Sequence, residues 1–239
     1  MATCAIATYD CSDEWKRNPK STSGVYTIKP NGAKASFQVF CEMNADGGWT
    51  LIQNHDGQDG LSFDRAWADY KQGFGNISSE HWLGLNKIYL LTNQPGRIAK
   101  LRVSLGDFAG SEAFAQYSSF RIGCESQFYQ LSLGKYSGNA GDAFRGRDKD
   151  TNEDGSFFST MNKDNDKCNP CLNGDIMFNS CSVRFNGGWW FNRCGIANLN
   201  GQWRNQNDYI GWASAVYWET WKINESLKFS KMYLNTVRE

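Results

Sequence analysis

The acidic segment at residues 162–167 has the spacing of a cation site. Asp164 and Asp166 alternate with other residues, so their carboxylates can converge on one hard cation while the carbonyl groups that follow complete a shell of oxygen ligands. Ca²⁺ is the natural occupant of such a shell, and an ordinary solvated acidic turn is the alternative. The segment is not an EF-hand, because neither Asn162 nor Asp164 as first residue places a glycine at the sixth position.

A second acidic segment lies upstream and matches only half of an EF-hand loop. The residues from Asp150 to Gly155 fit its first six positions, but Met161 stands at the twelfth position, where a bidentate Glu is required. Neither flank shows helical periodicity. We therefore expect residues 148–155 to form a solvated loop.

The chain contains eight cysteines, spread over its whole length: Cys4, Cys11, Cys41, Cys124, Cys168, Cys171, Cys181 and Cys194. An even set of this kind predicts disulfides made in an oxidising compartment, although spacing alone cannot choose the pairs. A zinc ribbon is the alternative, because Cys168 and Cys171 have the spacing of zinc ligands and Cys181 and Cys194 follow them. The second pair lacks that close spacing, which favours disulfides.

Two glycosylation sequons, at Asn76 and Asn224, are compatible with a secreted, extracellular protein. No secretory leader opens the sequence, so we interpret Met1 as a mature end or as the start of a piece from which the leader has been removed.

Composition argues against several classes of function. Lys and Arg total 25 and Asp and Glu total 25, so no net charge attracts nucleic acid. No run approaches the roughly 20 apolar residues of a membrane helix, which argues against membrane insertion. The two histidines are His55 and His81, and the sequence has no G-x-S-x-G, P-loop or dinucleotide-binding motif. We therefore predict a protein that is not an enzyme.

Short strands and helices are predicted before residue 134 and again at the C-terminal end of the chain. Two β-type runs, at residues 23–28 and 35–41, flank turn residues and predict a hairpin. Alternating or β-type runs predict further strands of a central sheet at residues 100–105, 119–122, 128–133 and 227–237. Helical spacing of large apolar residues predicts helices at residues 64–72 and 79–92, the second with a Ser cap.

Residues 134–218 lack such periodicity and are rich in Gly, Asn and Asp with isolated aromatic residues. This stretch is far longer than the roughly 12 to 15 residues of a structureless loop in a compact domain. We expect disulfides and a bound cation to hold its irregular backbone.

The densest motif lies between Cys181 and Cys194, which enclose two glycines and the aromatic run Trp189–Phe191. The pattern predicts an aromatic hairpin with a cysteine at each end. From Trp189 to Gly201 the sequence reads W-W-F-x-x-C-x-x-A-x-x-N-G. This pattern resembles the signature of the fibrinogen-related (fibrinogen C-terminal) domains.

The resemblance extends from Cys11 to the final strand. Further similar segments lie at residues 47–50, 63–75, 82–85, 136–143 and 158–160. The fold that the resemblance implies is a single α+β domain at residues 1–239. Its parts would be a small N-terminal subdomain at roughly 1–50, a central antiparallel sheet with short helices at 51–133 and 226–239, and an irregular calcium-binding subdomain at 134–225.

The resemblance also implies a calcium site and two disulfides. The Ca²⁺ ligands would be the carboxylates of Asp164 and Asp166 and the backbone carbonyls of Cys168 and Pro170. The bridges that the family likeness implies are Cys11–Cys41 and Cys181–Cys194.

The calcium loop is similar to that of angiopoietins and angiopoietin-like proteins, in which an added disulfide lies in this loop. That likeness implies a bridge between Cys168 and Cys171. Cys4 and Cys124 then remain, and a bridge between them, free thiols and an intermolecular bridge all stay open.

Two kinds of recognition follow from the resemblance. Lectin members bind acetylated glycans in an aromatic pocket, with a cis peptide bond before the second hairpin cysteine. In this chain the corresponding positions would be Phe185, Trp212 and the bond from Arg193 to Cys194. However, Gly195 stands where many lectins have His.

Angiopoietin-like members instead bind a protein receptor through the same face, and the sequence from Cys194 to Gly195 is more similar to theirs. We therefore predict a secreted recognition module for a protein receptor, with an acetylated-glycan lectin as the alternative. For Trp189 and Trp190 we expect core packing. A pocket for peptide N-termini, as in fibrinogen, would need an acidic cluster that the sequence does not show, and homo-oligomer formation stays open.

Overall fold

A nine-stranded antiparallel sheet forms the centre of the computed structural model, which describes residues 8–206, 215–223 and 225–239. The strands of this sheet are β1 (Gly24–Ile28), β2 (Phe37–Asn44), β3 (Gly47–His55), β4 (Phe74–Gly75), β5 (His81–Trp82), β6 (Arg97–Gly106), β7 (Glu112–Tyr117), β10 (Tyr136–Gly138) and β15 (Phe229–Arg238). Their main order is β1-β2-β3-β15-β6-β7-β10, with β5 paired to β3 and β4 paired to β5. The predictions on Cys4, Trp212 and Asn224 lie outside the described residues.

The last strand of the chain, β15, lies in the middle of this sheet. It pairs with β3 on one side and with β6 along its full length on the other, so that Leu234 faces Thr50 and Leu101. Along β6, buried residues alternate with half-buried ones as far as Leu105, the pattern of a sheet with one covered face. The prediction that residues 227–237 return to the central sheet is confirmed.

The N-terminal hairpin is also confirmed, since β1 and β2 pair over five residues each. A disulfide joins Cys41 in β2 to Cys11, the first residue of helix α1 (Cys11–Arg17). The helix begins here because the Asp10 carboxylate accepts a 2.9 Å hydrogen bond from the backbone N–H of Asp13.

Two further helices are α2 (Trp67–Gln72) and α3 (Leu85–Thr92). The first lies within the predicted range, but the prediction of one helix over residues 79–92 is wrong in its first half, where His81 and Trp82 form β5. Gly84 is the reason: its φ is +107°, which no helical residue adopts, and a Cβ there would overlap the backbone of Gln72.

The prediction that residues 119–122 and 128–133 belong to the central sheet is wrong. Strands β8 (Phe120–Ile122) and β9 (Leu131–Leu133) instead form a separate two-stranded sheet. Phe128 and Tyr129 both adopt left-handed backbone with φ of 49°, so the second run cannot be extended from its start.

The region at 134–218 is mostly irregular, as predicted, and aromatic side chains build its core. Trp189 stacks on Phe144 with 5.4 Å between ring centroids, and Trp190 packs edge-on against Phe158 at 5.0 Å. The Trp190 indole N–H donates a 2.8 Å hydrogen bond to the carbonyl of Tyr129. All five side chains are buried, which confirms core packing for both tryptophans. The short elements here are β11 (Cys171–Asn173), β12 (Ile176–Phe178), α4 (Cys181–Phe185), β13 (Ala197–Asn198) and β14 (Tyr217–Trp218).

Candidate functional site

The acidic loop at residues 162–170 is organised around Asp166. Its carboxylate is buried and accepts hydrogen bonds from the backbone N–H groups of Cys168 (2.8 Å) and Cys181 (2.6 Å). Its backbone carbonyl accepts a third, from the N–H of Arg193 at 2.9 Å. One residue thereby joins three segments that are distant in sequence: the acidic loop, the start of α4 and the turn before Cys194.

Asp164 lies beside Asp166 and remains exposed, and its carboxylate accepts a 3.2 Å hydrogen bond from the Asp166 backbone N–H. Burial raises the pKa of Asp166 to about 6, the two backbone N–H bonds oppose this rise, and the charge of Asp164 adds to it. The two carboxylates, one of them buried, repel each other, and a bound cation would reduce this repulsion.

The residues present fit Ca²⁺, because the loop offers two carboxylates together with backbone carbonyls as hard oxygen ligands. Cys168 belongs to the same hydrogen-bonded turn as Asp166, and Pro170 lies exposed two residues further on. The Asn169–Pro170 peptide bond is cis.

Three disulfides are present in the described part of the chain, and they are the three bridges implied by the resemblance: Cys11–Cys41, Cys168–Cys171 and Cys181–Cys194. Within the same residues Cys124 has no bridge. The second and third bridges lie beside each other, and their four Sγ atoms are all within 4.8 Å of one another.

Strands β11 and β12 form a small hairpin directly after the acidic loop. Cys171 pairs with Phe178 and Leu172 with Met177, so each pair lies on one face. The inner face packs on the protein through Phe178, whose ring lies 5.8 Å from that of Phe185, while Ile176 on the same face is 54% exposed. The outer face carries Leu172 and Met177, which are 72% and 68% exposed.

The sequence analysis missed this hairpin, although a signal was present. The two-residue turn is Gly174-Asp175, and glycine followed by Asp favours such a turn. Gly174 adopts the left-handed conformation, with φ of +59°.

The predicted aromatic hairpin after Cys181 is wrong, because its first residues form helix α4. Ser180 begins the helix by accepting a hydrogen bond from the backbone N–H of Val183. Phe185 at its end is completely buried against the rings of Phe178 and Phe191, so it contributes to the core and not to the wall of an open pocket.

The peptide bond from Arg193 to Cys194 is trans, contrary to the expectation of a cis bond. The chain turns here through left-handed conformations instead, with φ of 46° at Arg193, 80° at Cys194 and 67° at Gly195. The Arg193 side chain is exposed, whereas Cys194 and Gly195 are buried. Within the described residues, the structure therefore brings these three residues together with Asp166, whereas the Phe185 side chain is buried.

The expectation of a solvated loop at residues 148–155 fails at Glu153. Its side chain is completely buried, and one carboxylate oxygen accepts a 3.0 Å hydrogen bond from the Trp189 indole N–H. Burial raises the pKa of Glu153 well above its usual value, and the bond from Trp189 opposes that rise. The Asn192 amide also donates to the carbonyls of Lys149 (3.0 Å) and Asn152 (2.7 Å), so this loop supports the turn before Cys194.

A separate depression of about 450 Å³ lies between residues 57–64 and Trp203, with Asn186 and Gln202 at its edge. None of the predicted ligand-binding residues that the structure describes lines it.

The sequence matches the family described as "Fibrinogen beta and gamma chains, C-terminal globular domain" over residues 7–237. The chain belongs to this family of fibrinogen C-terminal domains. The domain is 44% identical to mouse angiopoietin-related protein 2 over 167 residues, which cover 67% of this chain and 32% of that protein. It is 43% identical to bovine angiopoietin-4 over 179 residues, which cover 73% of this chain and 34% of that protein.

The solved fibrinogen-like globe domain of human ANGPTL2 has a TM-score of 0.81 and 38% identity to this fibrinogen C-terminal domain, covering 95% of this chain and 98% of that one. The chain spans about a third of the length of the curated relatives named above. These homologues support a non-enzymatic recognition module. Among the described residues, no helix is long and apolar enough to cross a membrane.

Proposed function

We propose that this fibrinogen C-terminal domain is a secreted, Ca²⁺-binding recognition module for an extracellular protein receptor. The observation that carries the proposal is the outer face of the β11–β12 hairpin. Leu172 and Met177 stand side by side on this face, more than two-thirds exposed, and the acidic loop that holds Asp164 and Asp166 leads directly into the hairpin.

A paired apolar surface of this kind favours a protein partner over a sugar. Exposed apolar groups that lie together mark contact surfaces, and methionine adapts its shape to a partner. Ile176 in the same hairpin and Val183 on α4 are further exposed apolar side chains in this part of the chain, at 54% and 58% exposure. Because the Cys168–Cys171 bridge constrains the base of the hairpin, little conformational freedom would be lost on binding.

An acetylated-glycan lectin is the weaker proposal. Phe185 is buried, the Arg193–Cys194 bond is trans, and the Glu153 carboxylate fills the space beside Gly195 where a lectin-like side chain would stand.

Ca²⁺ would be held by Asp164 and Asp166 with the carbonyls of Cys168 and Pro170. The ion would supply positive charge that offsets the two carboxylates. Asp166 is hydrogen-bonded to Cys168, Cys181 and Arg193. A bound ion that fixes Asp166 would therefore also restrain the hairpin and the turn before Cys194.

Secretion is supported by three disulfides and by the likeness to angiopoietin-related proteins. The sequon at Asn76 is exposed, as a glycosylation site must be.

Calcium binding is tested by titration calorimetry on the whole chain. We expect one Ca²⁺ per chain, with a dissociation constant of about 0.1 to 1 mM as in extracellular modules. Asp164→Asn should abolish the binding heat. Asp175→Asn, which removes an exposed carboxylate in the hairpin turn, should leave it unchanged. Equal heats for the wild type and Asp164→Asn would contradict the site.

Partner class is tested by binding the chain, with Ca²⁺ or with chelator, to an array of enzymatically deglycosylated receptor ectodomains and to a glycan array. We expect Ca²⁺-dependent binding to a deglycosylated ectodomain. Leu172→Asp and Met177→Asp should each weaken it about tenfold or more, which corresponds to about 1.4 kcal/mol. Val25→Asp, at a partly exposed apolar residue of β1, is the control. Retention on N-acetylated sugars alone would favour the lectin and reject the receptor.

A further inference from the structure

We propose that Cys168, Cys171, Cys181 and Cys194 form a four-thiolate site for one zinc ion when both of their bridges are reduced. This inference goes beyond the proposed receptor function and does not depend on it. In the oxidised chain the same four sulfur atoms form two disulfides, and the zinc site would be their second state.

The first observation is the position of the four sulfur atoms. All four Sγ atoms lie within 4.8 Å of one another, and each of the four residues is at most 5% exposed. Four thiolates around zinc at about 2.3 Å form a tetrahedron whose edges are about 3.8 Å. The cluster therefore has nearly the size that zinc requires, and only small side-chain movements separate the two states.

The second observation is that hydrogen bonds hold these cysteines independently of their sulfur bonds. The backbone N–H groups of Cys168 and Cys181 both donate to the Asp166 carboxylate, and the N–H of Arg193 donates to the Asp166 carbonyl. Reducing the bridges removes none of these bonds. The backbone can thus keep the sulfurs converged in the reduced chain.

The ligand type selects the metal. Four sulfur ligands in a closed, buried and tetrahedral arrangement are those of structural zinc, whereas the hard oxygen ligands of the neighbouring loop suit Ca²⁺. Zinc with four thiolates has a net charge of −2. Lys167 and Arg193 each directly precede a ligand and offset this charge, while Asp164 and Asp166 oppose them.

The change of state balances with a dithiol as reductant. Each bridge accepts two electrons and two protons from one dithiol molecule, which becomes a disulfide. The four thiols formed then release four protons as they bind Zn²⁺ as thiolates. Zinc would then hold the acidic loop, the start of α4 and the turn at Cys194 in the reduced chain, in place of the two bridges.

The test uses the full chain, reduced with a phosphine under nitrogen and then freed of reductant. Co²⁺ is the probe, because a tetrahedral four-thiolate site gives intense visible bands and sulfur-to-cobalt charge-transfer absorption. We expect one equivalent of Co²⁺ to produce this spectrum and one equivalent of Zn²⁺ to displace it. Cys168→Ser and Cys194→Ser should each lose the four-sulfur spectrum, whereas Cys124→Ser should retain it.

Thermal unfolding provides a second measurement that does not depend on the variants. Zinc should raise the Tm of the reduced chain, or restore its folding if reduction unfolds it, and should leave the Tm of the oxidised chain unchanged. A reduced chain without the cobalt spectrum, a spectrum that survives in both Cys168→Ser and Cys194→Ser, or a reduced chain that zinc neither stabilises nor refolds would each overturn the site.

Discussion

The carboxylate of Glu153 fills the space that a Cβ atom on Gly195 would need. Glu153 is held there by the indole N–H of Trp189, and both of these side chains are completely buried. Position 195 therefore favours glycine for two reasons: a Cβ atom would overlap Glu153, and the φ of Gly195 is +67°.

Replacing Gly195 by alanine should destabilise the domain by about 2 kcal/mol or more, because left-handed backbone strain adds to the overlap with Glu153. Chemical unfolding of Gly195→Ala measures the loss. Gly155→Ala is the matched control: its φ is +88°, but a Cβ there meets nothing within 4 Å, so it should cost only about 1 kcal/mol. Equal losses in the two variants would contradict the close packing at Gly195.

The pH dependence of stability should reveal the buried carboxyl of Glu153. Burial raises its pKa in the folded chain, so the folded state retains a proton that the unfolded state releases above about pH 4.3. Stability from this group is therefore present at low pH and is lost as pH rises. Glu153→Gln should be more stable relative to wild type at pH 8 than at pH 5.

Thermal unfolding at pH 5 and pH 8 tests this expectation. Glu112→Gln, an exposed acid at the start of β7, should leave the difference between the two pH values as it is in the wild type. If Glu153→Gln behaves like this control, Glu153 does not titrate as its burial requires.

The strands were predictable where apolar and polar residues alternate, as in β6, because period two follows directly from the pleat of a strand. The errors in the fold have a common physical cause. Gly84 interrupts a helical pattern, and Phe128 and Tyr129 interrupt a strand pattern, each through a positive φ that side-chain periodicity does not report.

The candidate site was predictable only in part. The alternation of Asp164 and Asp166 predicts a cation loop, because that spacing suits a hard cation, and this stays a prediction until Ca²⁺ binding is measured. Glu153 could not be found in this way: it lies in a polar, acidic segment, and its burial depends on Trp189, which is 36 residues away. The hairpin after Cys171 did carry a local signal in Gly174-Asp175.

His55 should make the domain less stable in mild acid. It is buried, stacks on Phe63 and contacts the carbonyl of Leu199. Burial lowers its pKa to about 4, against the smaller opposing effects of the Leu199 carbonyl and Asp56. The unfolded chain takes up a proton below about pH 6.5 that the folded chain refuses, so stability falls as pH decreases from 6.5 to 4.

Replacing His55 by Gln should flatten this fall, although burial lowers the pKa of His81 as well and leaves part of the slope. The comparison is best made in the Glu153→Gln background, because Glu153 acts with the opposite sign over the same range. Denaturant unfolding at pH 6.5 and pH 4.5 gives the slope. An unchanged slope after His55→Gln would rule out the assignment to His55.

The loop at residues 56–61 should depend on one buried carboxylate, that of Glu80. One of its oxygens accepts hydrogen bonds from the N–H groups of Asp56 (3.0 Å) and Gly57 (2.7 Å), and the other from those of Asp59 (3.0 Å) and Leu61 (3.3 Å). In Glu80→Gln the amide nitrogen cannot accept, so two partly buried backbone donors lose their partner, at about 1 kcal/mol or more.

Because this loop lines the depression beside Trp203, its opening would change that surface without unfolding the sheet. Hydrogen exchange of the amides at residues 56–61 should accelerate about tenfold or more in Glu80→Gln. Asp59→Asn is the control, since its side chain is exposed and accepts only one bond, from the Glu80 N–H at 3.3 Å. Unchanged exchange in Glu80→Gln would mean that the loop is held by its own turns, and the carboxylate would then have no part in shaping the depression.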